Sequence, residues 1–178
     1  MKKKTIWDLN RPDIEAFKTQ EKFPLVLVLD NVRSLNNIGS MLRTADGFAV
    51  EGVVLCGITA TPPSPEIHKT ALGAEDSVAW TYRADTLEAV RELKARGYTV
   101  CALEQVQGSV PLNEFAPEAG RGYAIVVGHE VEGVRQDVVD ECDVCLEIPQ
   151  YGTKHSLNVA VSAAIALWQL TAGSTKCG

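Results

Sequence analysis

Apolar runs of strand length recur along the chain, from Leu25 to Leu29, Val53 to Cys56, Val78 to Thr81, Val100 to Leu103, Ala124 to Val127 and Val144 to Ile148. Their continuity matters, because a strand wetted on one face alternates polar with apolar residues, whereas one covered on both faces does not. Between them, Ile38, Met41, Leu42, Ala45 and Ala49 share one helical face; Leu87, Val90, Leu93 and the stem of Lys94 share another, ahead of a stop at Gly97. Buried strands alternating with amphipathic helices predict an α/β fold, a mainly parallel sheet with helices on both faces. A length of 178 residues suits one such domain and is cramped for two. Residues 1–23 read as an N-terminal arm or helix, 24–172 as the domain and 173–178 as a short tail. Pro and Gly punctuation marks Thr61 to Pro65 and Gln107 to Gly122 as loops, neither of them an interdomain linker.

Several function classes drop out on composition. Leu157 to Leu170 is uncharged but too short for a bilayer span, and it contains Asn158, Ser162 and Gln169, so it reads as a buried helix. The basic start, Met1 to Lys4, is followed by no apolar segment, and the expected location is the cytoplasm. Five cysteines, most of them in apolar runs, suit a reducing compartment. Cys142-Asp-Val-Cys145 has the spacing of a redox or half-zinc motif, yet His68, His129 and His155 are scattered and no second ligand pair exists, so no metal is expected. A net charge of −6 argues against tight, nonspecific nucleic-acid binding, which depends on Lys and Arg displacing counterions. It leaves room for a local basic surface, such as the segment up to Lys22, with six basic residues against four acidic. The acidic excess lies elsewhere, notably from Glu130 to Glu147.

Ligands of parallel α/β sheets collect beyond the carboxyl ends of strands. Three loops there carry polar groups. In Asp30 to Ala45, Asn36 or Asn37 could cap the following helix, and Arg43, between Leu42 and Thr44, could face an anion such as phosphate. In Val126 to Val134, Gly128 and Gly133 have P-loop spacing, but Val134-Arg135 replaces the required Lys-Ser/Thr, and no Gly-x-Gly-x-x-Gly occurs anywhere. Glu130 there is either a surface carboxylate or an anchor for a base such as Arg43. In Ile148 to Ile165, Ser156 and Asn158 open a helix with almost no charged face; Ser156 as a cap and Asn158 facing water is the plainer alternative. His155 beside Ser156 does not make a Ser-His device, since adjacent residues cannot easily adopt that geometry.

These three segments, in this order, resemble the three motifs of the SpoU (TrmH-like) family of RNA ribose 2′-O-methyltransferases in the SPOUT superfamily. Asn37-Ile-Gly-Ser-Met-Leu-Arg-Thr-Ala45 is similar to motif 1, Ile125 to Glu130 with Gly133 to motif 2, and Ile148 to Gly152 with Ser156 to Ser162 to motif 3. The resemblance covers about residues 24 to 170. It implies a C-terminal deep trefoil knot, a feature topology rules alone would not select. It also implies S-adenosylmethionine as cofactor, bound within the knot, and a homodimer whose two subunits both contribute to the active region. Carried over to this chain, it places cofactor contacts at Leu103, Gly128, Ile148 and Leu157, and a catalytic set at Asn37, Arg43, Glu130, Ser156 and Asn158. A guanidinium is effectively always protonated. The expectation is therefore that Arg43 clamps the substrate phosphate and stabilises the developing alkoxide, with Glu130 and Asn158 orienting it. The implied substrate is structured RNA, tRNA ahead of rRNA. The alternatives are a noncatalytic RNA-binding or assembly protein, or methylation of rRNA or a non-RNA substrate. Gln150, Lys154 and His155 stand at positions that vary in motif 3, and Ala160 replaces a frequent Ser. Without the added N-terminal RNA-binding domain of some relatives, recognition is expected from the core dimer, residues 1–23, the tail or an accessory protein.

Overall fold

The computed structural model describes residues 1–172, and the tail expected at 173–178 lies outside the described residues. Seven parallel strands form one sheet: β1 (Phe23–Asp30), β2 (Val50–Cys56), β3 (Trp80–Arg83), β4 (Thr99–Leu103), β5 (Val110–Pro111), β6 (Tyr123–Val127) and β7 (Val144–Glu147), in the order β3-β2-β1-β6-β4-β7-β5. Around it lie helices α1 (Ile14–Thr19), α2 (Leu35–Gly47), α3 (Pro65–Ala71), α4 (Ala74–Ser77), α5 (Thr86–Ala95), α6 (Gln136–Glu141) and α7 (Val159–Ala172).

Every residue from Leu25 to Asp30 is buried, as continuous apolarity required. Alternate residues serve opposite faces. Leu25, Leu27 and Leu29 join a cluster with Ile38, Met41 and Leu42 of α2, Ile67 of α3 and Leu167 of α7. Val26 and Val28 join a second cluster with Val90 and Leu93 of α5 and Val138 of α6. Each such side chain removed from water contributes roughly 1.5–3 kcal/mol, so the sheet is held from both sides. Phe17 of α1 is buried in the first cluster, which ties the N-terminal segment to the sheet.

Several boundaries differ from the sequence reading. Ala49 is not on the α2 face: the helix ends at Gly47, and Ala49 has φ +47, a left-handed residue in the turn into β2. Val78 caps α4, and β3 starts only at Trp80. Pro65 leaves its loop to open α3, where a missing N–H costs nothing. The loop from Gln107 to Gly122 contains the two-residue β5 and a turn of 3-10 helix at Leu112–Glu114. The helix cap before α2 is Ser34, whose hydroxyl accepts from the Asn37 N–H, rather than Asn36 or Asn37.

The strand order decides where a site can form. The ends of β6, β4 and β7, at Val127, Leu103 and Glu147, lie side by side, with Asp30 of β1 next in line. Because β5 lies beyond β7, the connection after β4 crosses over the carboxyl end of β7.

Candidate active site

A cavity of about 620 Å3 opens at those three strand ends. Leu103, Val127, Leu146, Ile148 and Leu157 give it apolar walls, and Gly128 and Ser156 also line it. Its floor is tightly folded backbone. His129 and Gly133 exchange both main-chain hydrogen bonds, at 3.0 and 2.9 Å, and a Cβ on Gly128 would lie 2.1 Å from the Gly133 carbonyl carbon. Gly133 has φ +72, a conformation that glycine adopts without strain. Glu104, directly after β4, receives the Val134 N–H at 2.9 Å and pins this turn to the neighbouring strand end. Apolar walls able to sandwich a flat ring, beside the peptide groups of the strand ends, suit a nucleoside-sized ligand.

Polar order at the mouth centres on Glu130. Its Oε2 accepts from the Arg33 N–H at 3.0 Å, and its Oε1 from the Ser34 N–H at 2.9 Å and the Asn37 side-chain amide at 3.0 Å. Asn37 Oδ1 in turn accepts from Asn158 Nδ2 at 3.1 Å. Asn158 caps α7, its Oδ1 accepting from the Ala160 and Val161 N–H groups at 2.9 and 3.3 Å. The starts of two helices from distant parts of the chain are thereby joined through side chains. Burial pushes the Glu130 carboxyl up, but the Arg33, Ser34 and Asn37 donors outweigh it and hold the group below the ordinary carboxylate value. It is therefore an ionised acceptor, poorly suited to taking a proton.

Asn37, Glu130 and Asn158 thus meet in one hydrogen-bonded chain. Ser156 lines the same cavity, as do Leu103, Gly128, Ile148 and Leu157. Arg43 does not join them. It is exposed on α2, while its apolar neighbours Met41, Leu42 and Ala45 face the core, and it makes no hydrogen bond or ion pair among the described residues. Glu130 holds the start of α2 where the sequence suggested it could anchor Arg43. The cap of α7 is Asn158, not Ser156.

Glu104, Gln105, His129, Glu132 and Glu147 also line the cavity and were not singled out in the sequence. Their only signal was position: Glu104 and Gln105 just after an apolar run, His129 and Glu132 in the glycine turn, and Glu147 near the end of the Val144 to Ile148 run. Burial pushes the Cys101 and Cys142 thiols up to about 12, and among the described residues no group of three or more His, Cys, Asp or Glu could hold a metal.

Comparison with known proteins fits this geometry. The model of the SpoU rRNA Methylase family matches residues 24–168. A TrmH family tRNA/rRNA methyltransferase of Staphylococcus saprophyticus is 30% identical over 162 residues, covering 89% of the chain and 64% of the relative. A 23S rRNA (guanosine-2′-O-)-methyltransferase of Nitrosomonas europaea is 36% identical over 145 residues, covering 82% and 55%. Among solved structures, an AdoMet-bound rRNA methyltransferase from Sinorhizobium meliloti superposes with a TM-score of 0.77 at 28% identity, covering 88% of this chain and 58% of that one. The chain spans less than two thirds of the length of each of these relatives.

Proposed function

The chain belongs to the SpoU rRNA methylase family, and on that premise we propose that it methylates a ribose 2′-oxygen of structured RNA with S-adenosylmethionine, tRNA being the favoured substrate. The observation that carries the reading is the Glu130–Asn37–Asn158 chain at the mouth of the 620 Å3 cavity. The cavity residues fit the cofactor: Leu103, Ile148 and Leu157 offer apolar faces, and Gly128 leaves no side chain over the floor. When bound, the cofactor supplies a methyl group activated on a sulfonium. Glu130 fixes the start of α2 and, through Asn37, the start of α7; Ser156 lies in the wall two residues before that cap. Together they position a ribose and exclude water.

Arg43 clamps a substrate phosphate and offers charge to the developing alkoxide. It lies six residues along α2 from Asn37, roughly 9 Å at 1.5 Å per residue, so it serves a site on a partner subunit of a homodimer. Support comes from the outward face of α7. Val161, Ile165 and Trp168 are exposed at 49%, 38% and 62%, and they border a groove shared with Asn37 and Ser40, one turn from Arg43. An apolar face of this kind is what a second copy covers.

Residues 24–172 would form the catalytic domain, with 1–23 as an arm carrying exposed Lys2, Lys3 and Lys4. The trefoil knot is part of the same reading. It is supported by the connection after β4, which passes the end of β7 to reach β5, and by the Gln105 side chain, which donates to the His155 carbonyl at 3.0 Å. Among the described residues no helix is long and apolar enough to cross a membrane, consistent with work on RNA in the cytoplasm. The test is incubation with labelled cofactor and total RNA from cells lacking the protein, followed by nuclease digestion and mass spectrometry. A labelled 2′-O-methyl nucleotide is expected. Cofactor binding without transfer to any RNA pool would favour the noncatalytic alternative.

A further inference from the structure

Within residues 24–172, the cations that have no carboxylate partner are not scattered. Lys69, Arg83, Arg91, Lys94, Arg96, Arg121 and Arg135 all form ion pairs. Arg33, Arg43 and Lys154 form none among the described residues, and all three lie on the segments that carry motifs 1 and 3. Those segments hold no acid at all from Asn31 to Ala45 or from Ile148 to Ala172. Within residues 24–172 of a chain of net charge −6, two of these three unpaired cations, Arg33 and Lys154, therefore stand beside one cavity mouth, which Glu104, Glu130, Glu132 and Glu147 also line.

The backbone at Arg33 and Lys154 is placed beside that mouth by neighbouring contacts. The Arg33 N–H donates to Glu130, which lines the cavity. Lys154 adjoins His155, which lines it too and whose carbonyl is held by Gln105. Between lining residues Gln150 and His155 stands Tyr151, 96% exposed, with no hydrogen bond or ring contact among the described residues. An aromatic ring left that open costs apolar hydration, and beside unpaired cations it matches the way single-stranded nucleic acid is held, by stacking plus phosphate contacts.

We propose that Tyr151, Lys154 and Arg33 form a docking rim for an unpaired nucleotide of the RNA, the Tyr151 ring stacking on a base while Lys154 and Arg33 take the flanking phosphates. This rests on the reading of the cavity as the methyl-transfer site, which it deepens by specifying an unpaired rather than a duplex target. A nucleotide held on the rim has its ribose at the cavity mouth, where the Asn37–Asn158 pair lies. Tyr151 and the two cations act as positioning residues.

The test measures binding of the full chain to fluorescein-labelled bulk tRNA and to an unstructured single-stranded RNA 12-mer, by anisotropy across a salt series. Tyr151→Ala should weaken binding about tenfold with an unchanged salt slope, since stacking displaces no counterion, and Tyr151→Phe should restore native affinity. Arg33→Ala and Lys154→Ala should each lower the slope of log K against log salt by about 0.7, the value for one single-strand phosphate contact. Calorimetry with S-adenosylmethionine should give native affinity for every variant, which separates a lost rim from a lost fold. Native affinity and slope in all the variants, a native chain that binds neither RNA, or equal losses in Tyr151→Ala and Tyr151→Phe would overturn the proposal. Methyl transfer is read separately: a chain that binds RNA through the rim but methylates none retains the rim and loses the proposed activity.

Discussion

The two sides of the cavity mouth are built in opposite ways. On the Glu130 side the carboxylate accepts from three groups, Glu104 holds the glycine turn, and His129 Nδ1 accepts from the Val131 and Glu132 N–H groups. On the other side, every residue from Tyr151 to Asn158 is exposed, and among the described residues the only hydrogen bond tying the segment from Tyr151 to Leu157 to the rest of the chain is that from Gln105 to the His155 carbonyl. One wall has used its hydrogen-bonding capacity internally and is rigid before anything binds. The other keeps an aromatic ring and a cation unspent. Preorganisation belongs where a small cofactor must be gripped, and open valence belongs where a large, variable polymer arrives.

That contrast can be broken experimentally at either wall. The largest effect is expected from Arg43→Ala, outside the rigid wall: about 10³-fold loss of methyl transfer, equivalent to about 4 kcal/mol, with cofactor affinity within twofold by calorimetry. Retained turnover would remove Arg43 from the mechanism. Gly128→Ala strikes the rigid wall itself, because its Cβ would overlap Gly133 backbone. A loss of about 3 kcal/mol is expected, seen as a Tm fall of about 6–12 °C together with lost cofactor binding.

Glu130→Gln turns an acceptor of three donors into an amide that must present an NH2 to some of them. It should cost about 2 kcal/mol in denaturant unfolding, with about 30-fold slower transfer. Its pH dependence sharpens the assignment. The Glu130 pKa is depressed in the fold, so its contribution is fully present above the ordinary carboxylate value of 4.5 and is lost as pH falls through the lower folded value. The native-minus-variant stability gap should hold from pH 8 to about 5 and close in more acid solution. The smallest change is Asn158→Ala, about 1 kcal/mol from the lost α7 cap. Asn158→Asp keeps the cap and loses the donor to Asn37, so activity should fall while Tm stays near native; unchanged activity would make Asn158 purely a cap.

How much of this was legible beforehand varies by element. The strand runs around Leu27, Val54, Cys101 and Ile125 were visible because burial on both faces leaves a continuous apolar record. The short helices α3, α4 and α6 were not, since four to seven residues carry too few turns for a period to show. Ala49 and Val78 were assigned to the wrong element for the same reason: an apolar residue extends a pattern whether or not the backbone continues. Asn37, Glu130 and Asn158 were identified by motif, whereas Glu104 carried no motif and gained its role only from the strand beside it.

The sequence by itself determined the fold class and the three loops that matter, because burial and turn chemistry are local and each residue records its own share of them. What Glu130 does with its carboxylate, that Asn158 both caps α7 and reaches Asn37, and that Arg43 stands apart from them were decided only by tertiary structure. Those facts depend on residues 93 and 121 positions apart arriving within about 3 Å of each other, and no local pattern encodes a distance of that kind.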